Sequence, residues 1–148
     1  MNRQAGTSTK SGRGRLFLLL CALPALFGCG GSEFAYLDDG GGLTLSLVRE
    51  QRYLGGPWQT TLISAATPRC QKRHPLEGMT EDSFQMKVFR PEPGVYILNS
   101  GKRWFVTELR NCEFQPYRTP PPFPGEALGR FEVRNQNLEY IAEKAAKR

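Results

Sequence analysis

From residue 43 onward, apolar and polar residues alternate in short bursts separated by turn-forming clusters. Leu43-Thr44-Leu45-Ser46-Leu47-Val48 sets apolar side chains against hydroxyls with a period of two, the pattern of a strand buried on one face. Gly55-Gly56-Pro57 interrupts it, and Trp58 to Ala65 follows as a second strand, rich in β-branched and aromatic residues. Phe84, Met86 and Val88 then share one face of the stretch Phe84 to Arg90. Pro91-Glu92-Pro93-Gly94 is a tight turn, because proline fixes φ and glycine accepts the unusual one. Val95 to Leu98 is the next strand, Asn99-Ser100-Gly101-Lys102 a hairpin signal, and Arg103 to Leu109 the strand that pairs back. Asn111 turns the chain into Cys112 to Tyr117.

Between these bursts the pattern fails. Thr67 to Asp82 contains Pro68, Pro75, Gly78 and the lone His74, and reads as a loop pinned by Cys70. Thr119 to Gly125 holds four prolines and is expected as an extended polyproline segment that joins no ladder. Phe131–Arg134 and Leu138–Ile141 read as a hairpin around Asn135-Gln136-Asn137. Leu138, Ile141, Ala142, Ala145 and Ala146 also fit helical spacing, with Glu143 and Lys147 as a supporting pair. Strand is favoured up to Ile141, with a basic tail over 142–148. Gly30 to Gly42, GGSEFAYLDDGGG, is expected to be a flexible tether, in which Phe34, Tyr36 and Leu37 alternate poorly and have a first short strand as the alternative. Asp38-Asp39 has the makings of a calcium pair, but no loop of oxygen ligands follows, so a solvated linker is the better reading. Short strands at regular spacing predict an all-β sandwich or barrel over 43–141.

The first 29 residues have a different pattern. Arg3, Lys10, Arg13 and Arg15 precede an apolar run from Leu16 that ends on Gly28-Cys29. A basic lead followed by such a run has the layout of a secretory signal. Leu16 to Gly28 is thirteen residues broken by Pro24, too short for the about 20 that a membrane-spanning helix needs. The tetrad Leu26-Phe27-Gly28-Cys29 resembles the lipobox of bacterial lipoprotein precursors, although Phe27 is bulkier than the usual occupant. That resemblance implies a signal peptide over 1–28, cleavage after Gly28, and acylation of Cys29, which begins a lipidated tether over 29–42. In such lipoproteins an Asp after the cysteine tends to retain the protein in the inner membrane. Gly30 stands there, so the resemblance implies an outer-membrane, periplasm-facing protein anchored in the bilayer through acylated Cys29.

Two further stretches bear on the fold. Phe89 to Leu98, through Pro93-Gly94-Val95-Tyr96, resembles the strand-turn-strand step of small periplasmic β-sandwich lipoproteins. Phe131 to Ile141 is similar to the closing hairpin of such domains, which usually carry glycine where Gln136-Asn137 stand. Together they imply a small sandwich of immunoglobulin-like or prealbumin-like type.

Charge then loses its first meaning. The chain's net charge is +6, but four of its 20 basic residues and none of its 14 acids precede Cys29. The remainder carries 16 basic against 14 acidic residues with no long basic run, which argues against a nucleic-acid partner. Of four cysteines, Cys21 goes with the leader and Cys29 is acylated, leaving Cys70 and Cys112. In an oxidising compartment these read as one disulfide. Cys70 and His74 have a metal-ligand spacing, but they lack a third and fourth ligand, and Lys72 and Arg73 lie between them. No metal and no cofactor are expected.

Catalytic chemistry finds little support. A Ser-His-acid or Cys-His arrangement would have to use His74, the chain's one histidine. Glu81-Asp82, and Glu108 with Glu113, are carboxylate pairs of the kind a small envelope hydrolase would use, given a cleft to set their separation. The other reading is a non-catalytic binding or structural module with an envelope protein as partner. Trp104 and Phe105 are neighbours in one strand, so one points away from the core. With Tyr117 and Phe123 of the proline-rich region, the outward residue is a candidate partner surface, although cover of both faces, one by the second sheet and the other by the 116–125 loop, is the favoured reading.

Overall fold

The computed structural model describes residues 30–144. The expected signal peptide, the acylation site Cys29 and the end of the basic tail lie outside the described residues. Alternation in the sequence becomes ten strands: β1 (Gly31–Gly40), β2 (Leu43–Gln51), β3 (Trp58–Ala66), β4 (Cys70–Leu76), β5 (Gln85–Glu92), β6 (Val95–Ser100), β7 (Arg103–Glu108), β8 (Glu113–Tyr117), β9 (Glu126–Arg134) and β10 (Asn137–Ala142). They form two antiparallel sheets, one in the order β1-β2-β3-β4 and one in the order β10-β9-β5-β6-β7-β8. Inward residues of both meet in one core, with Leu45, Leu47 and Leu62 from the first sheet and Met86, Val88, Tyr96, Leu98, Phe105 and Phe131 from the second. The fold is the all-β sandwich, with one disulfide, that the alternation predicts. The chain completes the four-stranded sheet before it begins the six-stranded one.

Two such sheets leave four edge strands, and these meet as two seams. At one seam β4 faces β8: Cys70, at the start of β4, is bonded to Cys112, just before β8, with Cα atoms 6.1 Å apart. The His74 ring stacks on Phe114 there at 4.8 Å, and Phe114 stacks on Phe105 at 5.5 Å. The bridge closes a separation of 42 residues, for which the chain-entropy model gives about 4 kcal/mol as an upper guide. Between the seams, Ser64 and Thr107 join the sheets by a buried 2.8 Å hydrogen bond. At the other seam β1 lies beside β10.

The β1 seam corrects the expectation of a flexible tether over 29–42. Gly31–Gly40 is a full strand, paired with β2 from Gly31 opposite Gln51 to Gly40 opposite Leu43, with a register shift at Asp39. Its inward residues explain why it is held. Ala35 is buried and Leu37 packs against the core. Asp39, read as solvated, instead accepts from Arg90 at 2.7 Å and from the hydroxyl of fully buried Tyr96. Arg90 also donates to Glu126 at 3.1 Å, so the cluster ties β1 to β5, β6 and β9. Gly30 is required by close approach: a Cβ there would collide with the Gln51 carbonyl oxygen and lie 3.0 Å from the Arg52 carbonyl.

One other expectation changes, and one holds. The loop expected over 67–82 contains β4, which pairs with β3 from Ala66–Cys70 to Thr60–Leu76. At the C-terminus, β10 runs through Ala142, so strand prevails over helix. Its turn forms without glycine, by placing Asn135 and Gln136 at φ 50° and 62°.

One buried charge completes the frame. Leu45, Leu47 and Arg49 share the inward face of β2, and all three are fully buried. The Arg49 guanidinium lies 4.8 Å from the Trp58 ring centroid and 5.1 Å from that of Phe84. It donates to the Glu81 carbonyl and stands 3.6 Å from the Glu33 carboxylate. Burial pushes Glu33 up and Arg49 down from their ordinary values, each opposed by the partner's charge.

Replacing Asp39 with alanine leaves the buried Tyr96 hydroxyl without its acceptor and Arg90 with Glu126 alone, and such losses cost about 1 to 3 kcal/mol. Chemical denaturation of the Asp39→Ala protein should show this loss. Asp38→Ala, next door but exposed, should change stability far less.

Candidate functional site

The predicted aromatic surface divides by strand parity. Phe105 points inward and belongs to the core, so it is removed from the candidate surface. Trp104 points outward on the six-stranded sheet, between Asn99 of β6 and Tyr117 of β8. It is half-buried, and its ring stacks at 6.2 Å on Phe89. Ile97 lies in the same outward face, opposite Phe89 and Val106, yet it is buried. These outward residues therefore form a small covered cluster of their own.

The proline-rich segment explains the cover. It leaves β8 at Tyr117, level with Trp104, and enters β9 at Glu126, level with Arg90 at the far end of the sheet. Four strand spacings of about 4.8 Å separate β8 from β9. The core fills the inner face, so residues 118–125 must strap across the outer one. Phe123 of that strap is 87% exposed, and Tyr117 is also exposed. Of the four aromatics proposed from sequence, these two are open to a partner.

A second aromatic pair was concealed by the tether reading. Phe34 and Tyr36 alternate outward on β1 and are 67% and 58% exposed. Their same-face neighbours on β2 are Val48 and Ser46, followed on β3 by Thr61 and Ile63. Across β1 to β3 the middle of this face carries no charged side chain, and Arg73 of β4 follows Ile63 at the far edge. β1 is an edge strand: it pairs with β2 on one side and is joined to β10 by packing rather than by a ladder. Phe34, Tyr36, Glu139 and Tyr140 line a shallow groove along that seam. The signal in the sequence is a stretch, Phe34 to Leu37, with apolar residues at both parities, as a strand covered on both faces would have.

The candidate catalytic groups do not converge. His74 is on β4 opposite Leu62, not in a loop, and its Nε2 is buried without a hydrogen-bond partner. Among the described residues, no hydrogen bond or ion pair joins it to a carboxylate. Burial, and secondarily the Lys72 ammonium, push its pKa below the ordinary 6.5. Asp82 accepts from the Trp58 indole N–H at 3.0 Å, and the Glu81 backbone is held by Arg49. Glu108 and Glu113 are opposite one another where β7 turns into β8. The Glu108 carboxylate accepts from the backbone N–H of Arg110 at 2.7 Å and of Asn111 at 2.9 Å, which is turn capping. Among the described residues no group of three or more His, Cys, Asp and Glu is placed to hold a metal.

Comparison with protein-family models, characterised proteins and solved structures finds no match to this chain.

His74 gives a direct test of its packing. Its depressed pKa means that the unfolded chain takes up a proton below about pH 6.5 that the native one resists. Stability tied to this group is present above that pH and falls as pH drops through the native pKa. The single histidine resonance should titrate with a midpoint below 6.5, and His74→Phe should remove that part of the acid sensitivity. A midpoint at or above 6.5 contradicts the stacked, half-buried placement.

Proposed function

We propose that this protein is a membrane-anchored envelope lipoprotein acting as a non-catalytic binding module. The observation that carries the reading is the pair Phe34 and Tyr36, exposed on an edge strand whose outer ladder is unpaired. Glu139 and Tyr140 of β10 flank that edge, so the partner docks on the aromatic side chains of the sheet face rather than by adding a strand. The partner is another envelope protein, reached by a domain fixed to the outer membrane through acylated Cys29 and facing the periplasm. The tetrad Leu26 to Cys29, after its basic leader, supports the anchor. The hydrolase alternative is weakened by the isolation of His74 and by the turn-capping role of Glu108. Phe123 and Tyr117 offer a second contact on the opposite sheet.

A photoreactive residue placed at Tyr36 should form a discrete protein adduct in cells, and one at Lys87, on the strapped outer face, should not. The adduct should be lost when Cys29→Ser abolishes acylation and moves the protein out of the membrane fraction. Equal labelling from both positions, or a membrane-bound Cys29→Ser protein, would contradict the proposal.

A further inference from the structure

The chain enters the sandwich at one pole, beside the turn from β2 to β3. Gly30 abuts the Gln51–Arg52 backbone, and a Cβ on Gly31 would lie 3.1 Å from the Trp58 ring. Cys29 is one peptide bond from Gly30, so its Cα lies about 3.8 Å from that of the glycine and at most about 7 Å from that of Gly31. No spacer separates an acylated Cys29 from this pole.

The adjoining turn is unusual for its exposed apolar surface. Arg52-Tyr53-Leu54-Gly55-Gly56-Pro57 connects β2 to β3, and at its tip Tyr53 is 55% and Leu54 88% exposed. Turns are ordinarily polar, and the core makes no use of these two side chains. The half-buried Trp58 follows immediately. Tyr and Trp beside an aliphatic tip is the composition favoured at a membrane–water interface. Charge at this pole is mixed, with Arg52, Lys102 and Arg103 against Glu77, Glu81 and Asp82, so the attraction is apolar rather than ionic.

We propose that the β2–β3 turn is a second membrane contact, with Leu54 and Tyr53 seated in the headgroup layer of the bilayer that holds the Cys29 acyl chains. The proposal rests on the lipoprotein reading above. The headgroup layer is about 5 to 7 Å deep on each side of a bilayer, which matches the one- or two-residue reach from Cys29. The contact fixes the orientation of the domain: the pole with Asp39, Arg90 and the β5–β6 turn points away from the membrane, and the β1 edge runs outward from its surface.

The test uses the full chain, acylated in cells and reconstituted into phosphatidylcholine vesicles. One protein carries a nitroxide through Leu54→Cys, and a second carries it through Glu92→Cys at the far pole. The label at position 54 should be more accessible to dissolved oxygen than to an aqueous nickel chelate, and the label at position 92 should show the reverse. Aqueous behaviour at both positions, in protein that incorporates palmitate and floats with the vesicles, overturns the turn contact and leaves the anchor standing. Failure to incorporate palmitate and to float overturns the anchor and the contact together.

Discussion

Two sheets that share one core must close their edges, and here each seam is held by a specific contact. At β4 and β8 that contact is covalent, Cys70 to Cys112, backed by His74 stacked on Phe114. At β1 and β10 it is polar, with one carboxylate, Asp39, receiving both the Tyr96 hydroxyl and the Arg90 guanidinium. A buried polar group without its partner is costly, so Asp39 fixes the position of β1 as firmly as a larger apolar residue would. Arg49 works by the same logic between Trp58 and Phe84, where losing Glu33 would leave a buried charge poorly matched.

Once β1 is part of the domain, the relation between the proposed anchor and the domain changes. A glycine-rich tether would let the domain roam. A strand that begins at Gly31 ties the domain to the residue that carries the lipid on the proposed reading. The surfaces left open then have defined positions: the Tyr53–Leu54 turn beside the anchor, Phe34 and Tyr36 along the first sheet, and Phe123 on the strap across the second.

Strands whose alternation is simple were legible in the sequence. Leu43 to Val48 and Phe84 to Arg90 each show one dominant apolar parity, broken only by Val48 and Phe89, and both fall in strands of the structure. β1 was hidden by glycines and acids at its ends and by apolar residues at both parities. β4 was hidden by Pro75 and by Lys72 and Arg73, yet an edge strand tolerates proline and benefits from exposed charge. Trp104 and Phe105 showed that one must face outward, and cover by the 116–125 loop was the favoured expectation, but the stacking of Trp104 on Phe89 was not legible. The inward role of Arg49 was readable in principle, because it continues the parity of Leu45 and Leu47.

The standing of β1 as a strand is the point on which both the fold and the proposed geometry at the membrane turn. Amide hydrogen exchange across Ser32 to Asp39 tests it directly. Amides bonded to β2 should exchange only as slowly as the β2–β3 hairpin opens. Exchange at unstructured rates throughout the segment would restore a flexible tether and free the domain from the anchor.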